Sequence, residues 1–209
     1  MIRKSLVFFI ALFSMVIFLN GCKSTNSGSG TETAVYSQSF KDYPDHSFNA
    51  KAYIKGMSKG GHGLLIWQDS SADLKKYPSI AVSEFGGRLL PVQDRFSYSP
   101  FIKNLNSVFN DNLGIKRGTP GQSLHIKGAM VECNPGNRAA RILVGMGAGK
   151  SAGAVVCEVY EPGKTSPSIR IYARDTAAMS SADSISNLNN IFNQVSFRVA
   201  AVLEQRIGQ

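Results

Sequence analysis

Three cysteines, three histidines and one glycine-rich run are the residues of this 209-residue chain whose types and spacing suggest chemistry. Cys22 follows Leu19-Asn20-Gly21. A thiolate is a nucleophile, and the small Gly21 leaves the bond before Cys22 open to a peptidase. Cys133 and Cys157 are the other thiols. His46, His62 and His125 lack a second histidine or cysteine at metal-ligand spacing, so no zinc site is expected. No His-Glu-x-x-His and no Gly-x-Ser-x-Gly elbow is expected. Glu84 and Glu132 read as strand-end carboxylates rather than an acid/base pair. No cofactor is implied. One residue is the first suspect for a spatially assembled hydrolase site: His62, inside Gly60-Gly61-His62-Gly63.

The glycine run, from Arg141 to Ser151 (RILVGMGAGKS), imitates a phosphate-binding loop. That motif needs four residues between its first glycine and the Gly-Lys-Ser ending. Gly145 to Gly149 leaves three, and Val144 stands where the glycine belongs. The following Ala154–Glu161 alternates like a strand, so no helix N-terminus would face a phosphate. The same objection removes a dinucleotide fingerprint. Gly145, Gly147 and Gly149 are therefore read as structural glycines that permit a bulge or bend. A flat strip for a partner's strand or a glycan ring is the secondary reading.

Elements must position these residues, and the first is a leader. Arg3 and Lys4 precede fourteen residues, Leu6 to Leu19, that are apolar except for Ser14. As a helix this is roughly 21 Å long, short of a ~30 Å hydrocarbon core. A cleavable signal over residues 1–21 is expected. Its ending resembles a lipobox, with Asn20 departing from the usual small residue. That resemblance implies lipidation of Cys22, with palmitate among the chains, and two or three chains anchor a protein stably. By the same resemblance Lys23, where inner-membrane lipoproteins often carry Asp, implies the outer membrane on its periplasmic side. Residues 22–34 form the lipidated end and a Ser/Thr/Gly tether reaching about 20 Å.

Net charge is +9, and removing Arg3 and Lys4 leaves 21 basic against 14 acidic residues, or +7. Such a domain favours anionic partners. Outside the cytoplasm these are membrane lipid, envelope protein, peptidoglycan or another anionic glycan, not nucleic acid.

Residues 35–78 read as an extension that packs on or extends the domain at 79–209. Gly63–Gln68 is a short strand carrying Trp67. Ser79–Phe85 is a strand closed by Gly86-Gly87. Ser99 as cap and Pro100 open a helix with Phe101, Leu105, Val108, Phe109 and Leu113 on one face. Strands are expected at Ser123–Cys133, Arg141–Met146, Ala154–Glu161 and Ser168–Arg174. Ile185, Leu188, Phe192, Val195, Val199 and Val202 mark a long amphipathic helix, capped by Asp183 or Ser184 and ended by Gly208. The expected fold is α+β: an antiparallel sheet of about four to five strands with two helices packed on one face. The other face is open or covered by residues 35–77.

Two readings depend on that order. A meander puts the Arg141 strand between Cys133 and Cys157, nearly 10 Å apart and too far for a disulfide. A different order would permit the bond. Arg170, Tyr172 and Arg174 alternate with apolar neighbours and, on an open face, form a basic and aromatic stripe. With Arg138 and Arg141 they are the candidate binding surface.

Arg138, Arg141, Ile142, Val144, Gly145, Gly147 and Gly149 also resemble a motif in bacterial lipoproteins of a domain-of-unknown-function family. The resemblance covers roughly residues 79–205. The layout is similar, at fold level only, to outer-membrane assembly lipoproteins such as peptidoglycan-synthase activators and the curli secretion lipoprotein. The expectation is a non-catalytic binding or assembly module of the cell envelope, with an envelope hydrolase as the alternative.

Overall fold

The computed structural model describes residues 48–90, 96–136, 149–177 and 183–208, all within the unit Thr31–Gln209. Its elements in chain order are α1 (Ala50–Ile54), β1 (Ser58–Gly61), β2 (Leu64–Gln68), a single 3₁₀ turn (Leu74–Lys76), β3 (Ile80–Val82), α2 (Ser99–Asn112), β4 (Leu124–Asn134), β5 (Ala152–Tyr160), β6 (Ile169–Thr176) and α3 (Ser184–Ile207). Among the described residues no helix is long and apolar enough to cross a membrane. The expected strand at Arg141–Met146 lies outside the described residues, as do Cys22, Arg138, Arg141, Gly145 and Gly147.

The fold is α+β, but the sheet has six strands rather than four to five, in the order β1-β2-β6-β5-β4-β3. The strand expected at Gly63–Gln68 is β2, and the unexpected β1 forms a hairpin with it that extends the sheet beside β6. Neighbours are antiparallel except β3 and β4, which are parallel because α2 lies between them in the chain. The expected meander order is corrected at one point: β5 pairs directly with β4. The two thiols are kept apart by register instead. Cys133 faces Gly153, and Cys157 faces Gly128 four residues further along β5. At ~3.3 Å per residue that offset is about 13 Å, and both thiols are free.

All nine residues of β5 are buried, so both faces of the sheet are covered. Alternation divides them. Val155, Cys157 and Val159 join Phe101, Leu105 and Phe109 of α2 and Leu188, Phe192, Val195 and Val199 of α3 in the larger core. Ala154 and Val156 join Ala129, Tyr172, Leu89 and Tyr53 of α1 in the smaller one. The second face is therefore covered, in part by residues 48–57.

Helix ends follow their chemistry. Asp183 accepts from the Ile185 and Ser186 N–H groups at 2.8 and 2.9 Å, and Gly208 ends α3. Ser99 is not the cap of α2. It is the first helical residue, and Tyr98 takes the cap position without a side-chain hydrogen bond. Ile185, expected on the apolar face of α3, is 60% exposed because it lies in the first turn, where the core has not begun.

A candidate ligand groove

The second face of the sheet is built in rows. Register places Lys127, Glu158, Arg170 and Trp67 side by side across four strands, then Ala129, Val156, Tyr172 and Leu65, then Glu132, Ala154 and Arg174. These positions share one face because side chains alternate along each strand. The sequence stripe Arg170, Tyr172, Arg174 thus exists, but it is not an open surface.

Arg170 is 4% exposed. Its guanidinium carbon lies 4.6 Å from the Trp67 ring centre and 5.7 Å from that of Tyr53. Its Nε and Nη1 make no hydrogen bond. Beside it the fully buried Glu158 accepts from the hydroxyls of Tyr53, at 3.1 Å, and Tyr160. Burial, reinforced by the Glu158 charge, pushes the Tyr53 phenol well above its ordinary range. This row is a buried polar layer under α1.

Arg174 differs. It is partly exposed and pairs with Glu132, whose hydrogen bond holds the guanidinium proton more firmly than usual. Two cavities meet at it. One, of about 480 Å³, is lined by Lys59, His62, Leu65, Tyr172 and Arg174, with Asp175 and Thr176 at its side. The other, of about 490 Å³, is lined by Glu132, Gly149 and Lys150, and again by Arg174 and Thr176. Shared walls make them neighbouring parts of one groove. Lys59, Arg174 and Lys150 bring positive charge along it. The acids present are Glu132, paired with Arg174, and Asp175, paired with Arg198 at 2.9 Å.

The groove gathers Tyr172, Arg174, His62 and Gly149 from the sequence expectations. Gly149 sits at φ +68°, where a side chain is strained. His62 is exposed and its ring has no hydrogen bond among the described residues. The signal that the sequence did not reveal was Lys59 on β1 and Lys150 just before β5, which are far apart in the chain and have no shared periodicity. The largest described cavity, about 630 Å³ beside Tyr77 and the end of α3, contains none of the expected residues.

Two serines also correct the sequence picture. Gly149-Lys150-Ser151-Ala152-Gly153 does have Gly-x-Ser-x-Gly spacing. Its Ser151 is fully buried, donates to the Pro135 carbonyl at 2.7 Å, and leads into β5 rather than a helix. It is therefore no nucleophile elbow. Ser83 Oγ, by contrast, lies 2.7 Å from His125 Nε2, a pairing across 42 residues that no local motif announces. Among the described residues no group of three or more His, Cys, Asp or Glu side chains is arranged to hold a metal.

Residues 106–191 match the family model of a domain of unknown function, DUF4410. None of the curated proteins matches the chain. Among solved structures it is similar to a single-substitution variant of the PelC dodecamer from Paraburkholderia phytofirmans, at 13% identity and TM-score 0.40, over 66% of this chain and 97% of that one. A second PelC dodecamer structure from the same organism matches at 13% identity and TM-score 0.41, over 65% and 96%.

Proposed function

We propose that this chain is an outer-membrane lipoprotein, anchored through acylated Cys22, whose domain binds an anionic envelope glycan, peptidoglycan included, without transforming it. The observation that carries the binding part is the groove in which two cavities share Arg174 and Thr176 between Lys59 and Lys150. An elongated groove with spaced cations suits a polymer with repeated negative charges better than a single small ion. The leader ending at Gly21-Cys22 and the Ser/Thr/Gly tether support the anchor.

The test uses the mature protein in detergent micelles. Binding to polygalacturonate and to isolated peptidoglycan sacculi is measured at several salt concentrations, for wild type and for Lys59→Glu with Lys150→Glu. We expect saturable binding that weakens as salt rises and falls at least tenfold in the double variant. Equal binding by a folded double variant removes the groove from the reading. Metabolic labelling with palmitate, abolished by Cys22→Ser, tests the anchor separately.

The hydrolase alternative loses His62 as its base, because that ring is solvated and unpaired among the described residues. What supports it instead is the Ser83–His125 pair.

A further inference from the structure

A further cavity, of about 290 Å³, shares no lining residue with the groove. Its walls include Ser83, Arg88, Lys127, Gly128 and Tyr160. Ser83 follows β3, and its N–H donates to the Ile126 carbonyl at 2.9 Å, which seats it against β4. That contact brings Ser83 Oγ to 2.7 Å from Nε2 of His125, the residue before Ile126. When the imidazole carries its proton on Nδ1, the hydroxyl donates to Nε2. This is the geometry of a nucleophile with its general base. His125 and Lys127 are two apart on β4 and share a face. The Lys127 ammonium stands 4.6 Å from the Tyr160 ring centre, and Arg88 adds a second positive charge to a cavity wall that also carries one carboxylate, Glu84.

We propose that Ser83 and His125 form a hydrolytic site for carboxylic esters bearing a short, negatively charged acyl group. Arg88 and Lys127 attract the carboxylate of the acyl part. The cavity volume, at the low end of ligand pockets, fits an acyl chain of a few carbons. Ser83 Oγ attacks the ester carbonyl carbon and forms a new C–O bond while its proton passes to His125 Nε2. The bond from that carbon to the alcohol oxygen then breaks, and the alcohol leaves with the proton from His125. The acyl group is left on Ser83. Water attacks it, giving a proton to His125, and the free acid departs as Ser83 recovers that proton. No electrons are gained or lost and no further reactant is needed.

This inference stands independently of glycan binding in the groove. The test uses the mature protein in micelles. A fluorophosphonate probe is applied to wild type and the adduct is mapped by peptide mass. Hydrolysis of p-nitrophenyl acetate and of the mono-p-nitrophenyl ester of succinic acid is followed in parallel. We expect an adduct on Ser83, a preference for the succinate ester, and a loss of about a hundredfold in Ser83→Ala and His125→Gln. Arg88→Met is expected to lower the succinate rate more than the acetate rate. Mapping on wild type needs no variant to fold. An unlabelled Ser83, or hydrolysis that survives Ser83→Ala, overturns the proposal.

Discussion

Arg174 reaches over Ala154 to Glu132. Its Nε donates to Oε2 at 2.7 Å and its Nη2 to Oε1 at 3.0 Å. Glu132 faces Ala154 on β5, and Ala154 faces Arg174 on β6. The pair therefore bridges two strand spacings, nearly 10 Å of backbone. A side chain no larger than alanine between them leaves room for the bridge. The same carboxylate competes for the guanidinium with any anion entering the groove.

Glu132→Gln is accordingly expected to strengthen binding of polygalacturonate several-fold and to steepen its salt dependence. Stability changes little, by under ~1 kcal/mol, because both partners are solvated. Titration calorimetry with chemical denaturation as the control checks both halves. Weaker binding in the variant contradicts the competition.

Acid is expected to act through Glu161. Burial alone would raise its pKa, but hydrogen bonds from Lys164, Ser168, Lys76 and Tyr77 outweigh burial and bring it from 4.5 to about 2. A carboxyl with a depressed folded pKa contributes stability that is complete above its unfolded value. That contribution is lost as pH falls from about 4.5 toward 2. Its size is on the order of 2 kcal/mol, allowing for the half-exposed lysines. Urea midpoints of wild type should drop across this window more steeply than those of Glu161→Gln. Parallel curves would exclude the residue as the source.

Thiol accessibility gives a third expectation. Burial, then the neighbouring Glu132 charge, pushes Cys133 up to about 12. Burial, then Glu158, raises Cys157 further still. Neither is a useful thiolate near neutrality. Iodoacetamide should leave both unmodified in the folded protein and label both in guanidinium without reductant. A thiol count below two after unfolding would reveal a disulfide.

Gly153 has no room to grow. A Cβ there would come within 2.8 Å of Ile191 Cγ2 and 2.9 Å of the Phe192 ring, both on α3. Phe192 is fully buried and cannot swing aside. Gly153→Ala should cost about 1–3 kcal/mol by forcing helix and sheet apart, read as a lower denaturant midpoint. An unchanged midpoint would mean that α3 shifts freely.

Helix α3 was legible because Leu188, Phe192, Val195, Val199 and Val202 repeat at helical spacing and all are buried. Strands β5 and β6 were legible from alternation and the Pro162-Gly163 turn. The parallel pairing of β3 with β4 was not, since it depends on the path of the chain through α2 rather than on any local pattern. Nor was the cover over Arg170. Its alternation with Ile169 and Ile171 assigns a face but says nothing of Tyr53, more than a hundred residues earlier, which lands on it. Ser83 and His125 failed to show for the same reason, as only adjacency of β3 and β4 joins them.

The hairpin of β1 and β2 joins the sheet only through β6, the last strand to be made. A nascent chain thus carries Leu64, Ile66 and Trp67 unsheltered until Ile169–Ala173 has emerged. Assembly closes late, across a long sequence separation that slows folding. Until that closure the ribbon is an unpaired edge open to other chains, which makes the incomplete chain the aggregation-prone species.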